Sequence, residues 1–168
     1  MNMKKLLTGL NEYRFGIIIG ILISFGVVLT NVVFPSNKSD DGWTVLVVYL
    51  GLFALFMVGG YIGSRGSKSI LKGAKGGAIT ALISIGMTMI TFAVIDNIFI
   101  EIVSKQPDKI AAFTGQTDYN NMRDFINSGL LRGVLTALPV ITILGAAFGA
   151  IGSAISLMVS KTSLQKHV

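Results

Sequence analysis

From Phe15 to Phe34 the chain reads "FGIIIGILISFGVVLTNVVF", a run with no charged residue. A run of this kind constrains the fold more than any other feature. The hydrocarbon core of a bilayer is crossed by about 20 helical residues, so the segment is long enough to span one. Three further segments have the same character: 44–64, 76–103 and 133–160. The third and fourth are longer than a crossing needs, which predicts tilt, a kink or an exit into the headgroups. The expected fold is all-α: one polytopic transmembrane domain over 1–168, built as a four-transmembrane-helix bundle. Composition agrees. Only 13% of residues are charged, against about a quarter in a soluble domain, and the mean hydropathy is +0.72.

The first run follows Lys4 and Lys5, as a signal peptide would. It is long for one, however, and "VVFPSNKSDD" after it offers no small-residue cleavage pattern, so it reads as a retained span.

Two short similarities link the halves. "LISFG" (22–26) answers "LISIG" (82–86), and "GYIGS" (60–64) answers "GAIGS" (149–153). The paired segments run in the same direction. They read either as a duplicated helical hairpin about an axis along the membrane normal or as chance matches in a restricted alphabet.

The net charge of +6 is distributed as an orientation signal. Lys4, Lys5, Arg14, Arg65, Lys68, Lys72, Lys75, Lys161 and Lys166 lie on the side of the termini; Lys38, Lys105, Lys109, Arg123 and Arg132 lie on the other. The positive-inside rule therefore places both termini and the 65–75 loop in the cytoplasm, in a bacterial inner membrane. The acids lean outward, with Asp40, Asp41, Asp96, Glu101, Asp108, Asp118 and Asp124 there and Glu12 inside. Lys68, Lys72 and Lys75 are expected to meet lipid headgroups. Trp43 and Tyr49 suit the outer interface, and Tyr13 and Tyr61 the inner one. No basic surface is interleaved with aromatics for stacking bases, so nucleic acid is not an expected partner.

Chemistry is limited by what is missing. With no cysteine and one histidine, His167, the chain lacks thiolate or imidazole ligands within its apolar segments; no cofactor or metal is expected. "GSRGSKSILKGAKGG" (63–77) lacks the phosphate-loop spacing and a preceding strand. No acid–base pair with a nucleophile stands out, and enzymatic activity is not expected.

Helix contacts in lipid favour small residues that let backbones approach. Gly59 with Gly63, and Gly145 with Gly149 and Gly152, form such faces, as do Gly16 with Gly20 and Gly73 with Gly77. They fall in the cytoplasmic halves, which predicts close packing there and a looser outer half. Pro139 in the fourth segment removes the amide that would serve the Leu135 carbonyl, with Thr136 or Thr142 available to compensate.

The outer ends carry polar residues inside apolar sequence. Asn31, Asp96, Asn97, Glu101 and Arg132 come to one depth when the span directions are followed. They read as a structural clasp, Asp96 or Glu101 with Arg132, or as a site of access for a cation or proton. Loop 104–130 is the sizeable extramembrane piece. "PDKIAAF" has a helix-start pattern. "YNNMRDFINSGLL" spaces Met122, Phe125, Ile126 and Leu130 as a short amphipathic helix on the outer surface or over the bundle mouth.

The glycine-rich "LKGAKGGAITALIS", the long polar outer loop and "LPVITILGAAFGAIGSAI" closing on lysine resemble small bacterial four-helix membrane proteins classed only as domains of unknown function. The resemblance covers the second to fourth segments and implies fold, not activity. The chain does not resemble the four-helix multidrug exporters, whose first span holds a glutamate. Two functions compete: a structural or accessory subunit of a larger membrane assembly, docking protein partners amid membrane lipids, and a small oligomeric transporter or channel using the outer acids.

Overall fold

The computed structural model describes residues 3–35, 42–65, 67 and 69–165. The expectations for Lys38, Asp40, Asp41, Lys68, Lys166 and His167 lie outside these residues. The elements are α1 (Met3–Val28), a π-helical turn (Leu29–Val33), α2 (Gly42–Ser64), α3 (Ile70–Ile98), α4 (Ile100–Val103), α5 (Pro107–Thr114) and α6 (Met122–Gln165). No strand occurs among the described residues. Four stretches are long and apolar enough to cross a membrane: Tyr13–Val33, Leu46–Ser64, Ile70–Ile98 and Met122–Val159.

α1 ends by widening. The Phe34 amide reaches the Leu29 carbonyl at 2.7 Å, a π-type bond that disturbs the regular pairing upstream. Polar side chains compensate. The Thr30 hydroxyl donates to the Gly26 carbonyl at 3.0 Å, and the Asn31 amide to that of Val27 at 2.9 Å. Pro35 follows and biases Phe34 away from helical backbone.

The stretch from Met122 is not a separate surface helix. It is the start of α6, which runs 44 residues without a break, about 66 Å at 1.5 Å per residue. Asn121 caps it: its side-chain oxygen accepts from the Asp124 amide at 2.8 Å, and its Nδ2 donates to the Asp124 carboxylate at 2.6 Å. That satisfies an orphan amide of the first turn. The short helix of the outer loop is α5, opened by Pro107 in the first turn, where a missing amide costs nothing. At Pro139 neither neighbouring hydroxyl serves Leu135. Thr136 donates to the Arg132 carbonyl at 2.7 Å and Thr142 to that of Leu138 at 2.8 Å.

α3 is the hub and packs on α1, α2 and α6. Its N-terminal half meets its neighbours through glycine. A Cβ on Gly149 would fall 2.5 Å from the Gly73 carbonyl oxygen and 2.8 Å from the Gly77 Cα; one on Gly76 would fall 2.7 Å from the Gly59 carbonyl oxygen. Gly145 abuts Ala81, Gly60 abuts Gly149, and Gly152 abuts the Met57 carbonyl. Gly63 lies 3.1 Å from the position of a Gly76 Cβ. α1 rests on α3 through Gly16 and Gly20, facing Ile83 and Met87. Phe56, Ala81 and Ile85 form the core above these contacts, with Phe53 stacked on Phe148 at 4.4 Å. A second core of Ile95, Val103 and Ile126 lies at the opposite end of α3.

The two hairpins are packed differently. A two-fold repeat would make α1–α2 the counterpart of α3–α6, and α1–α6 the counterpart of α2–α3. The α3–α6 interface is the most extensive in the molecule, α1–α2 is thin, and α1 makes no substantial contact with α6. The packing does not express the sequence similarity between the halves.

Candidate functional site

Three helices line an open cavity of roughly 360 Å³ at the end of the bundle where α3 stops and α6 begins. α3 contributes Met89, Phe92 and Asp96, whose spacing of three and four puts them on one face. α5 crosses above with Asp108, Lys109 and Ala112. α6 closes the side with Phe125, Ile126 and Leu130 and with two glycines, Gly129 and Gly133. A Cβ added at either glycine would meet nothing within 4 Å. These two glycines thus leave space, in contrast to those of the inner half, which permit backbone contact.

α5 is held over the cavity by aromatic packing. Phe113 lies 5.7 Å from Phe125, centroid to centroid, and the Tyr119 ring lies 6.0 Å from the same Phe125. The loop after α5 is fastened to α6: the Tyr119 hydroxyl bonds Ser128 and accepts from Arg132 at 3.2 Å. Before α5, Gln106 donates its side-chain amide to the Asn31 carbonyl at 3.4 Å and ties the chain to the end of α1.

Asp96 is only 6% exposed. Among the described residues no donor comes within hydrogen-bonding distance of its carboxylate and no ion pair closes on it; the cation it faces is Lys109. A buried carboxylate without a bonded partner is costly.

The residues expected to gather at one depth are distributed over separate environments. Asp96 enters the cavity. Asn97, one residue on, points away and forms a reciprocal amide pair with Asn127 of α6, at 3.0 and 3.2 Å. Asn31 is engaged with its own helix and with Gln106. Glu101 is exposed on α4. Arg132 is exposed and donates to Tyr119, so it forms no clasp with Asp96 or Glu101. The sequence marks Lys109 only as a basic residue of the far side and Phe125 only as part of an amphipathic spacing, and it gives Phe92, Gly129 and Gly133 no site role. The 89–92–96 spacing was the available signal on α3, but the partner helices could not be inferred from it. At the other end of the bundle, Lys72 and Lys75 are exposed at the start of α3.

Among the described residues no group of three or more carboxylate or imidazole side chains is placed to hold a metal ion. The cavity's ionic groups are two carboxylates and one ammonium, a formal charge of −1 when all are ionised. Along the middle of α3 the hydroxyls bond back to their own helix: Thr80 to Gly76, Ser84 to Thr80, Thr88 to Ser84 and Thr91 to Met87, at 2.7 to 3.0 Å. No protein-family model matches the chain, and neither a curated protein nor a solved structure matches it.

Proposed function

We propose that the chain is a multi-pass protein of the bacterial inner membrane, with both termini cytoplasmic, acting without catalysis as a structural or accessory subunit of a larger membrane assembly. The observation that carries this reading is how the hydroxyls and small residues along the middle of α3 are used. The α3 hydroxyls are engaged with backbone carbonyls, and glycine contacts bring α2, α3 and α6 together in the inner half. Large apolar side chains such as Phe25, Val47, Leu135 and Ile143 face outward, which suits lipid or an apolar partner and is unusual for a soluble monomer. The distance along α3 from Lys75 to Asp96, about 31 Å over 21 residues, matches a hydrocarbon core of about 30 Å. Lys72 and Lys75 would then meet inner headgroups.

One observation favours the alternative, a small oligomeric transporter or channel: the buried Asp96 facing a cavity. Native mass spectrometry after mild detergent extraction separates the two. A stoichiometric complex with other proteins is the outcome expected of a subunit. A lone monomer or homo-oligomer, stabilised by a specific solute, would refute the subunit reading in favour of transport.

A further inference from the structure

We propose that the cavity beneath α5 binds an organic ammonium compound with an apolar body, its cationic nitrogen meeting Asp96 and its body lying between Phe92 and Phe125. The argument begins with Asp96. It is nine-tenths buried, opens into the cavity and accepts no hydrogen bond from the described residues. A partner that enters the cavity with a donating cation would satisfy it. The ionic lining carries a formal −1, so one positive charge restores neutrality.

An inorganic ion fits poorly. Hard cations take six or more oxygens, or keep a shell of water. Apart from the two carboxylates, the named lining side chains are a lysine and apolar or aromatic groups. Aromatic faces attract an ammonium group through the ring quadrupole, and the effect grows when the cation is desolvated. The volume of roughly 360 Å³ is at the lower end for small-molecule sites, about 300–1,000 Å³, which suits a compact amine or one headgroup. Gly129 and Gly133 make the room. Both line the cavity, and a Cβ added at either would meet nothing within 4 Å.

Lys109 is the internal competitor. Its ammonium faces Asp96 from α5 without closing an ion pair, so an incoming ammonium displaces it rather than joining it. This sets the sign of a diagnostic substitution. Lys109→Met removes the competitor and takes the ionic lining from −1 to −2, so it should tighten binding.

The same chemistry is offered by a free amphiphilic amine and by the ethanolamine headgroup of a lipid. The test is isothermal calorimetry of 2-phenylethylamine on the full chain in phosphatidylglycerol nanodiscs, repeated with phosphatidylethanolamine. Saturable one-to-one binding is expected, weakened at least tenfold by Asp96→Asn and strengthened severalfold by Lys109→Met. Gly129→Leu should abolish binding while leaving the melting temperature at or above that of the parent, because its Cβ meets nothing within 4 Å and leucine favours the helix over glycine. If a lipid headgroup is the natural occupant, the amine binds more weakly in phosphatidylethanolamine nanodiscs, and native mass spectrometry retains one such lipid on the parent but not on Asp96→Asn. If the occupant is a free amine, affinity is equal in both lipids. No binding by the parent in phosphatidylglycerol, binding unchanged in folded Asp96→Asn and Gly129→Leu, or weaker binding by Lys109→Met would each overturn the proposal.

Discussion

Replacing Gly149 by alanine tests the packing of the inner half. The new Cβ would stand 2.5 Å from the Gly73 carbonyl oxygen, where ordinary contact begins at 3.4 Å. The shortfall is 0.9 Å (3.4 − 2.5), and both obstructing groups, the Gly73 carbonyl and the Gly77 Cα, are backbone. No rotamer change relieves them, so α3 and α6 must part. A gap of about 0.5–1 Å forfeits a quarter to a half of the dispersion energy of the atoms facing it, and overpacking of this kind costs roughly 1–3 kcal/mol. Alanine returns up to about 1 kcal/mol in helix propensity, leaving a net loss on the order of 1–2 kcal/mol, roughly a tenfold change in the folding equilibrium near its centre. Gly86→Ala is the matched control. It lies on α3, the helix that Gly149 of α6 packs against, and its added Cβ meets nothing within 4 Å, so only the propensity gain should remain. Reversible unfolding in mixed dodecyl maltoside and sodium dodecyl sulphate micelles measures both variants. Equal stability of Gly149→Ala and Gly86→Ala would refute the argument that backbone contact sets the α3–α6 interface.

Three smaller predictions follow from other contacts. Asn97→Ala with Asn127→Ala in a double-mutant cycle should give a coupling of about 0.6 kcal/mol and under about 2, as for hydrogen bonds between membrane helices; additive effects would show the amide pair to be absent. Asn121→Ala should destabilise the first turn of α6 by about 1 kcal/mol, read as faster hydrogen exchange at the amides of 123–125, with exchange in the middle of α6 unchanged. Because the chain has no cysteine, single cysteines at Lys75 and Glu101 can report orientation directly. An impermeant maleimide added to intact cells should label position 101 and spare 75, and the reverse pattern would invert the proposed topology.

Particular residues show how far sequence reading reaches. The apolar runs announced helices because their length and lack of charge admit little else, and four helices with that character form. The boundaries were less legible. The helix through Met122 and Leu130 and the segment from Gly133 read as two separate elements, yet one capped helix carries both, and α6 is continuous from Met122. Depth was accessible by counting residues from each end. Azimuth was not. Each step along a helix turns the side chain by about 100°, so Asp96 and Asn97 share a depth but leave α3 in different directions, one to the cavity and the other to Asn127. Arg132 stands next to the cavity residue Gly133 and turns outward to Tyr119.

The sequence by itself determined which stretches are apolar enough to become long helices, the charge asymmetry between their ends, and which helix faces are small enough for close approach. These properties are local, set by composition and by spacing within one segment. Only the tertiary structure decided that α3 is the hub, that Gly77 meets Gly149 while Gly129 faces open space, and that Asp96 sits beneath Lys109. Those facts depend on how each helix is rotated about its axis and which neighbour it meets. Packing sets them for all the helices together, so no single segment encodes them.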